Sequence, residues 1–594
     1  IAMLTQVLHR ITREEKLLIT TISNGRASAA MADTMGMFVQ TLPVVSRTAK
    51  GQTAAGLAQS MHQQLLATIE RDKYPFTQLV ERHGIKPNIL FAYQGGVHDA
   101  LQLAGQNAAE IPLQLDTAKT PLMLQVQPAG DGYQLAFTYD SSRYAAKDIE
   151  ALGKALACFV QAAAVNPQQE SAALAMIDAA QKQSLLELGM GEPLAFDKSQ
   201  TIVDLFAVQA KAHPDSVAVV YEERQYTYKE IDELSTRLAV YLQAQGVTRE
   251  TVVGVMIDRS AWMVIYPLAV MKAGATYMPL DYSFPEDRLH YMLEDAGVSM
   301  ILSEGDRVES ALPGYGGRVI KTAEVLELPD TGSSLALHPA PEDRYVILYT
   351  SGSTGRPKGC MLEHHSLANF CHWYVHGFAM TAADRGLAYA NFGFDAHMMD
   401  IYPTLSCGGT VYIIPTAMRL DLQSIHDYIE KNRITIAFFT TQIGVQLSTS
   451  FPNSSLRLMS VGGEKLLPLR KPAYRFFNGY GPTECTIFST VYEMKADYDT
   501  ERIGRPLANY QAYVMDSERQ LLPRGMAGEL YIAGAGVGRG YLNLPEMSAD
   551  KFAAVQGERM YRTGDLVRWA EDGNLQYLGR IDKQVKLRGF RIEL

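Results

Sequence analysis

The sequence is poor in cysteine, in basic excess and in long apolar runs, and each shortage disfavours a class of protein. It has 5 cysteines in 594 residues. None forms a CxxC pair, which argues against a disulfide scaffold and favours a reducing, cytosolic compartment. The 54 basic residues against 64 acidic ones give a net charge of −10, so the basic surface of a nucleic-acid binder is missing. No run approaches the roughly 20 apolar residues of a membrane span.

What is present is an ordinary globular composition in a long chain. Hydrophobic residues make up 47% and charged residues 20% of it, and the length predicts about two to four hydrophobic cores. The chain opens on Ile1 without the apolar region and cleavage site of a signal peptide. It stops at Arg591-Ile-Glu-Leu594 without a closing element, so we expect a piece of a longer protein.

The pattern of apolar and polar residues changes twice along the chain. Up to residue 165, amphipathic helix patterns mix with half-buried strand patterns such as Gly132–Tyr139. A polar, proline-containing run then indicates a boundary, and residues 166–200 are predicted to form an interdomain linker that is helical from about residue 172. From Thr201, short β-branched runs such as Val252–Ile257 and Ile434–Phe439 alternate with helix patterns. This alternation predicts an α/β fold of parallel sheets covered by helices.

The most informative segment is Leu348-Tyr-Thr-Ser-Gly-Ser-Thr-Gly-Arg-Pro-Lys-Gly359. Glycines let backbone N–H groups turn inward, hydroxyls add donors and Lys358 adds a positive charge, a combination that suits a polyphosphate. A Ser/Gly-rich surface loop is the alternative, which the preceding strand pattern disfavours. The segment is no Walker loop, because Pro357 and Gly359 stand where that pattern has Gly and Ser/Thr. A P-loop kinase or GTPase is therefore disfavoured.

Two further segments place a carboxylate in a tight turn. Asn478-Gly-Tyr-Gly-Pro-Thr-Glu484 follows an apolar run, and Glu484 beside a triphosphate would be a hard oxygen ligand for Mg²⁺. Tyr561-Arg-Thr-Gly-Asp-Leu566 offers Asp565 as an acceptor for ribose hydroxyls. Either segment alone fits a solvated loop, so the prediction depends on their occurring together.

Taken in order, these segments resemble the adenylation domains of nonribosomal peptide synthetases, which belong to the adenylate-forming superfamily. The resemblance covers residues 201–594 and implies an α/β adenylate-forming core with a small β-barrel-like part. Residues 201–582 would form the large core and residues 583–594 the start of a small C-terminal subdomain. Four further segments carry the resemblance: Tyr226-Thr-Tyr228, Met271-Lys-Ala-Gly-Ala-Thr-Tyr-Met-Pro-Leu-Asp281, Gly528-Glu-Leu-Tyr-Ile-Ala-Gly534 and Gly579-Arg-Ile-Asp-Lys-Gln-Val-Lys-Leu-Arg-Gly589.

The resemblance also implies which residues bind ATP and Mg²⁺. Lys358, Thr483 and Glu484 would take the catalytic roles, at the β- and γ-phosphates, the α-phosphate and Mg²⁺ respectively. Asp582 would be the hinge about which the small subdomain turns. The remaining contacts would be made to the phosphates by Thr350, Ser351, Gly352, Ser353, Thr354 and Gly355, to the adenine by Asn478 and Tyr480, and to the ribose by Asp565, with Tyr577 and Arg580 nearby.

The segment Phe394-Asp-Ala-His-Met-Met399 is similar to the family segment whose aspartate binds an α-ammonium group. Asp395 therefore implies an amino acid rather than a fatty or aryl acid, through a charge-assisted bond of about 1.5–3 kcal/mol. The implied side-chain wall carries no charge, which disfavours charged substrates and favours a small or medium aliphatic one. Gln442 would bond either a polar substrate group or neighbouring backbone. The implied pocket is Asp395, Ala396, Met399, Gln442, Met459, Val461, Gly479, Ile487 and Phe488.

Residues 1–165 resemble a different family. Gly36-Met-Phe-Val-Gln-Thr-Leu-Pro43 and Arg71-Asp-Lys-Tyr-Pro-Phe-Thr-Gln-Leu-Val80 are similar to later motifs of a condensation domain, and imply its α/β C-terminal lobe. The catalytic motif of that family is two histidines, three residues and Asp-Gly. The chain's His-His pair, His364-His365, lies in the adenylation region and lacks Asp-Gly. We expect this lobe to form no peptide bonds and to pair with the upstream remainder of the condensation domain.

These resemblances together predict an ATP-dependent, amino-acid-adenylating ligase of antibiotic or other secondary metabolism. Its product would pass to phosphopantetheine on a downstream carrier domain, since the sequence holds no Gly-Gly-(His/Asp)-Ser carrier motif. The family's adenylation lysine would lie beyond Leu594, so we expect the chain to bind ATP and amino acid yet adenylate poorly. Two alternatives stay open, an acyl-CoA ligase of the same superfamily and a non-catalytic scaffold that binds nucleotide and amino acid.

Overall fold

The computed structural model describes most of the chain, in two compact units. The first unit comprises Ile1–Glu187 and Val514–Gly528, and the second comprises Leu188–Tyr513 and Glu529–Leu594. The described residues are 1–26, 31, 34–47, 51–95, 102–103, 106–107, 117–329, 334–351, 356–452, 454–555, 557–582, 584–587 and 590–593.

The first unit combines amphipathic helices with a mixed sheet. Its sheet has the strand order β2-β1-β3-β6-β7, with β1, β3 and β6 parallel and the two outer strands antiparallel. The elements in chain order are α1 (Ala2–Thr12), β1 (Lys16–Ser23), β2 (Gln40–Arg47), α2 (Ala54–Ile69), α3 (Phe76–His83), β3 (Ile89–Tyr93), β4 (Gln102–Leu103), β5 (Gln106–Asn107), β6 (Leu122–Ala129), β7 (Gly132–Tyr139), α4 (Ala146–Val165) and α5 (Ala179–Leu188).

The core of the first unit lies between the sheet and its helices. Leu57 and Met61, one turn apart on α2, pack with Val44 of β2, as the helical spacing of apolar residues predicts. A fully buried ion pair adds to this packing, because Arg10 of α1 contacts Asp516 with Nε at 2.7 Å and Nη2 at 2.6 Å from Oδ2.

The second unit alternates helices and strands for most of its length. In chain order its elements are α6 (Ile202–Ala212), β8 (Val217–Tyr221), β9 (Arg224–Thr227), α7 (Tyr228–Ala244), β10 (Val252–Met256), α8 (Trp262–Lys272), β11 (Thr276–Pro279), α9 (Glu286–Asp295), β12 (Met300–Ser303), α10 (Arg307–Ala311), β13 (Arg318–Lys321), α11 (Thr322–Leu326), β14 (Arg344–Thr350), β15 (Lys358–Glu363), α12 (His364–Gly377), β16 (Arg385–Ala388), α13 (Ala396–Ser406), β17 (Thr410–Ile413), α14 (Leu422–Asn432), β18 (Ile436–Thr440), α15 (Thr441–Ser450), β19 (Leu458–Gly462), β20 (Arg475–Tyr480), β21 (Thr490–Glu493), β22 (Arg502–Pro506), β23 (Tyr510–Met515), β24 (Gly528–Gly534), β25 (Gly540–Tyr541), α16 (Pro545–Lys551), β26 (Phe552–Val555), β27 (Glu558–Trp569), β28 (Leu575–Arg580), β29 (Gln584–Leu587) and β30 (Phe590–Glu593).

Two large sheets organise these elements. One has the order β13-β12-β10-β11-β14-β15-β25, parallel from β13 to β14 and antiparallel beyond. The other runs β23-β24-β27-β28-β22-β21-β20-β19-β18-β16-β17-β8-β9, and its strands from β8 to β20 are parallel. Beyond β20 the pairs β20–β21, β21–β22, β22–β28 and β27–β28 are antiparallel.

The sequence explains where several of these elements begin. Thr201 and Thr227 each cap a helix in a reciprocal capping box, with Asp204 and Glu230 three residues on. The strands β18 and β19 are buried along nearly their whole length, as strands between two helical layers must be. Helix α13 packs on β16, and α15 packs on β18. The α/β class with parallel sheets covered by helices is confirmed.

Three details differ from the sequence-based expectation. Asp565, predicted to lie in a tight turn, lies inside β27 and pairs with Arg580 of β28. Within the predicted helical linker, the α-helix spans Ala179–Leu188, and residues 191–200 have no helix, because Gly191 and Pro193 are poor helix formers. Strand β18 begins at Ile436 rather than Ile434, so the first two residues of the β-branched run belong to the preceding connection. No helix among the described residues is both long enough and apolar enough to cross a lipid bilayer.

Candidate active site

Lys358 and Glu484 form a buried ion pair between the two large sheets of the second unit. Lys358 begins β15 and Glu484 follows β20, and Nζ lies 3.3 Å from Oε1. The two side chains are 5% and 0% exposed. Tyr541 of β25 joins them, since its hydroxyl accepts a hydrogen bond from Lys358 Nζ at 2.8 Å and donates one to Glu484 Oε1 at 2.6 Å.

The predicted phosphate loop follows β14. Thr350 ends that strand, and its Oγ1 is a buried atom without a hydrogen-bond partner among the described residues. Since an unpartnered buried hydroxyl costs free energy, Thr350 suits an incoming acceptor such as a phosphate oxygen. Ser351 is the next residue, and it lines one cavity together with Thr350. The predicted residues Gly352, Ser353, Thr354 and Gly355 lie outside the described residues.

Asp565 is held by two donors from different strands. Tyr480 donates its hydroxyl to Asp565 Oδ2, and Arg580 donates Nη1 to Oδ1 at 3.0 Å. Burial and the Asp565 carboxylate raise the pKa of Tyr480 well above its usual range, so its hydroxyl stays a donor. Arg580 also binds Asp582 through Nε at 2.9 Å and through Nη2. The predicted ribose ligand and the predicted hinge residue therefore share one guanidinium.

A cavity of about 340 Å³ adjoins this network. Tyr480 and Tyr577 face each other across 6.4 Å between ring centroids, inclined at 39°, which presents aromatic surface to a planar base. Asn478 already donates Nδ2 to the backbone oxygen of Arg502 at 2.8 Å. The lining residues include Asn478, Gly479, Tyr480, Tyr577, Arg580, Glu464, Thr500 and Ile503.

A second cavity of about 180 Å³ brings together the predicted phosphate and amino-acid residues. Gly463, Gly481 and Arg580 line both cavities, so the two spaces adjoin. The predicted site residues in its wall are Thr350, Ser351, Asp395, Thr483, Asp565 and Arg580. Hydroxyl, guanidinium and carboxylate groups from five sequence segments thus face one space.

The position of Asp395 is fixed by a buried histidine. Asp395 precedes the first residue of α13, and His397 lies in its first turn. Burial lowers the pKa of His397 to about 4, so the ring is neutral. It lies 2.5 Å from the Phe394 carbonyl oxygen through Nδ1 and 3.0 Å from the Tyr277 hydroxyl through Nε2. Nδ1–H therefore donates to the backbone next to Asp395, and Nε2 accepts from Tyr277.

Most of the predicted side-chain wall is buried and apolar. Ala396 is half-buried and Gln442 is exposed at the start of α15, unlike the other wall residues. A Cβ placed on Gly479 would lie 2.2 Å from the Phe488 ring, so the glycine makes room for the aromatic. The buried members, at most 4% exposed, are Met399, Met459, Val461, Ile487 and Phe488.

The turn that presents Phe488 is strained. Thr486 and Ile487 have φ angles of 58° and 70°, and β-branched residues rarely adopt this left-handed region. Thr486 Oγ1 donates to the Gly536 carbonyl at 2.9 Å, which helps to hold the turn. Strain held in place beside Glu484 is typical of a functional site.

Sequence reasoning missed Tyr541 and His397. Tyr541 belongs to a two-residue strand whose register pairs it with Cys360 of β15, a contact that no local pattern reveals. His397 lies inside the segment that was singled out for Asp395, so its position was visible but its bonds were not. No group of three or more His, Cys, Asp or Glu in the described part of the chain is arranged to hold a metal ion.

Comparison with protein-family models assigns both parts of the chain. Residues 206–542 match the AMP-binding enzyme model. The chain belongs to the AMP-binding enzyme family. Residues 1–186 match the condensation-domain model. The predicted order, a condensation segment before an adenylation domain, is confirmed.

Relatives of this AMP-binding enzyme include a surfactin synthase subunit and a bacitracin synthase. It is 37% identical to surfactin synthase subunit 2 of Bacillus subtilis (strain 168) over 99% of this chain. It is 33% identical to bacitracin synthase 1 of Bacillus licheniformis, also over 99% of this chain. The chain spans 17% and 11% of the length of these two relatives. Adenylation domains of this kind are ATP-dependent ligases that use Mg²⁺.

Solved structures show the same fold. The four-domain nonribosomal peptide synthetase holo-AB3403, bound to AMP and glycine, matches with a TM-score of 0.78 and 25% identity, over 100% of this chain and 47% of that one. The nonribosomal peptide synthetase FmoA3 (S1046A) matches with a TM-score of 0.86 and 24% identity, over 98% of this chain and 65% of that one.

Proposed function

We propose that this chain activates an α-amino acid with ATP and Mg²⁺, forming an aminoacyl adenylate and pyrophosphate. The observation that carries the proposal is the 180 Å³ cavity, whose wall contains Asp395 together with Thr350, Thr483 and Arg580. A carboxylate suits an α-ammonium group, and hydroxyl and guanidinium donors suit phosphate oxygens. An enzyme that joins these two substrates needs both kinds of group in one space.

The chain's own residues supply binding and charge compensation for this reaction. Asp395 binds the α-ammonium group and so directs the substrate carboxylate towards Thr483. One carboxylate oxygen bonds to the α-phosphorus, and the bond from that phosphorus to the bridging oxygen of pyrophosphate breaks. Lys358 compensates charge on the leaving pyrophosphate. Mg²⁺ at Glu484 would supply further neutralisation of phosphate charge.

We further propose that the amino acid has a neutral, small or medium aliphatic side chain. The five buried wall residues Met399, Met459, Val461, Ile487 and Phe488 carry no charge, so a charged side chain would be left unpaired. The Phe488 ring already fills the space against Gly479, which supports a substrate of limited size.

The relatives suggest what happens to the product. A nonribosomal peptide synthetase adenylation domain passes its acyl group to the phosphopantetheine thiol of a carrier domain, and we propose the same partner here. The thiol sulfur would bond to the acyl carbon and lose its proton to water, while the acyl–phosphate bond breaks and AMP leaves. The upstream remainder of a condensation domain is the second proposed partner.

All five cysteines are free thiols, which supports a reducing compartment.

Two measurements test the proposed activation. Fluorescent mant-ATP should bind saturably in the presence of Mg²⁺. An aliphatic amino acid should promote slow but measurable exchange of labelled pyrophosphate into ATP, in a screen over the standard amino acids. Asp395→Asn should lose the amino-acid dependence and keep mant-ATP binding, because Asn cannot pair with the ammonium charge.

Two other outcomes would identify a different function, and a third would contradict the proposal. Thioester formation that requires coenzyme A and a fatty or aryl acid would favour an acyl-CoA ligase. Binding of mant-ATP and amino acid without exchange would favour a non-catalytic scaffold. Absence of mant-ATP binding would contradict the proposal.

A further inference from the structure

Tyr541 lies where two residues of the proposed site meet. Its hydroxyl is 2.8 Å from Lys358 Nζ and 2.6 Å from Glu484 Oε1. Lys358 Nζ also lies 4.1 Å from the centroid of the Tyr541 ring. The family resemblance assigned no role to Tyr541, although it is 2% exposed and contacts both residues.

The directions of these two hydrogen bonds are fixed by the charges. An ammonium group can only donate and an ionised carboxylate can only accept, so the phenol accepts from Lys358 and donates to Glu484. The phenolic proton is therefore directed at Glu484, 2.6 Å away.

The backbone holds the phenol rigidly. Cys360 on β15 pairs with Tyr541 on β25, so the sheet that carries Lys358 also carries Tyr541. The Tyr541 N–H donates to Ser548 Oγ at 2.9 Å, and Phe552 packs edge-to-face on the ring at 5.4 Å. A rigid ring whose hydroxyl donates to Glu484 can set the orientation of this carboxylate, which is itself completely buried.

We propose that Tyr541 is a positioning residue that orients the Glu484 carboxylate and the Lys358 ammonium for a magnesium nucleotide. This inference rests on the proposed function, because it takes Glu484 as the Mg²⁺ ligand and Lys358 as a phosphate contact. Carboxylates that bind metal ions are commonly held by such a hydrogen-bond donor, whose removal weakens metal binding about 10- to 100-fold.

Tyr561 completes the arrangement. Its hydroxyl lies 3.4 Å from that of Tyr541, and its side chain is 1% exposed. When Lys358 donates to a phosphate instead, the Tyr561 hydroxyl donates to the Tyr541 oxygen in its place. Tyr541 therefore donates its proton to Glu484 both with and without nucleotide.

The test is the Mg²⁺ dependence of mant-ATP binding by the full chain. In Tyr541→Phe, which keeps the ring, we expect the half-saturating Mg²⁺ concentration to rise about 10-fold. Binding in EDTA should change much less. A merely structural role would weaken binding equally with and without Mg²⁺, and that result, or an unchanged Mg²⁺ dependence, would overturn the proposal.

Tyr510→Phe is the matched control. The Tyr510 hydroxyl is also buried and donates to the Cys485 carbonyl at 3.1 Å, next to Glu484 in sequence but not to its carboxylate. We expect its Mg²⁺ dependence to equal that of the wild type. In a Glu484→Gln background, Tyr541→Phe should have no further effect on Mg²⁺ dependence, and an additive loss would contradict an action through Glu484.

The outcomes separate this inference from the proposed function. A wild-type chain that fails to bind mant-ATP contradicts both. Wild-type binding with an unaltered Tyr541→Phe variant contradicts only the role of Tyr541. If Tyr541→Phe does not fold, Tyr561→Phe decides instead, with a raised Mg²⁺ requirement supporting the arrangement and an unchanged one overturning it.

Discussion

Each unit of the chain holds an ion pair with both side chains at most 5% exposed, and the two pairs are completed differently. In the first unit, backbone groups complete the Arg10–Asp516 pair. Arg10 Nη1 donates to the Leu174 carbonyl at 2.6 Å, and Asp516 Oδ1 accepts from the N–H groups of Glu518 and Gln520 at 2.8 and 2.9 Å. In the second unit, the Tyr541 hydroxyl joins Lys358 to Glu484.

This difference separates a structural ion pair from one suited to binding. Backbone partners are fixed by the fold, so the Arg10–Asp516 pair has no alternative arrangement to adopt. A lysine ammonium on a flexible stem can turn towards another anion, and a hydroxyl can exchange one donor for another. We therefore expect the first pair to govern stability and the second to govern ligand binding.

The largest expected effect is on the stability of the first unit. Asp516→Ala leaves Arg10 buried without its counter-charge, which should lower the free energy of unfolding by about 3–5 kcal/mol. Hydrogen–deuterium exchange of peptides from α1 and residues 514–528 measures this loss locally.

The double variant Arg10→Met, Asp516→Leu is the control for this prediction. Because it removes both charges and fills the space with apolar groups, it should lose much less stability than Asp516→Ala. Equal losses in the two variants would show that packing, rather than the ion pair, stabilises this region.

The second effect is on nucleotide binding. Glu484→Gln keeps the shape of the side chain and an acceptor for Tyr541 but removes the charge that a divalent cation needs. The strengthening of mant-ATP binding by Mg²⁺ should fall on the order of 100-fold, as measured by titration with and without Mg²⁺. Glu304→Gln, at a half-buried carboxylate bonded to Ser260, should leave this strengthening unchanged. A normal Mg²⁺ response in Glu484→Gln would contradict the comparison.

The two ion pairs also show which contacts can be predicted from the sequence and which cannot. Lys358 and Glu484 lie in segments whose residue types suit phosphate and Mg²⁺, and the resemblance named both. Arg10 and Asp516 are 506 positions apart, and neither is part of a motif, so their pairing depends on tertiary packing alone. Tyr541 is near Lys358 because β25 adds to β15, which no local period encodes.

The helices and strands can likewise be compared with what the local sequence pattern predicts. The apolar spacing on α2 and α4 and the β-branched runs of the parallel strands predicted those elements, since helical and strand periods are local properties. Helix α3 (Phe76–His83) begins inside the segment Arg71–Val80, which was singled out only for its resemblance. Phe76, Leu79 and Val80 have the spacing of an amphipathic helix, so a helical period is present here although the helix buries none of its residues fully.

A third, smaller effect concerns pH. Burial lowers the pKa of His397 to about 4, against about 6.5 in an unfolded chain. Between these values the unfolded chain binds a proton that the folded chain does not, so stability falls as pH falls, by about 1.4 kcal/mol per pH unit.

Comparison with a variant isolates this contribution. Burial raises the pKa of Asp400 on the same helix to about 7, so its contribution has the opposite sign, and falls as pH rises towards 7. Asp400 is present in wild type and in His397→Gln, and its contribution cancels in their difference. Urea denaturation at pH 7, 6 and 5 should show wild type losing more stability than the variant. Parallel pH profiles would contradict a neutral, buried His397.

The smallest expected effect comes from an ion pair at the surface of the first unit. Lys154 Nζ lies 2.7 Å from Glu150 Oε1 on α4, but the side chains are 65% and 67% exposed. Water screens such a pair, and ordering two long side chains offsets the attraction. Lys154→Ala should therefore leave the exchange rates of α4 peptides unchanged within error, in the assay that detects Asp516→Ala. A loss comparable to that of Asp516→Ala would mean that burial and backbone partners do not distinguish ion pairs in this chain. If the exchange rates of α4 peptides are unchanged, we attribute the large effect of Asp516→Ala to the burial of the Arg10–Asp516 pair.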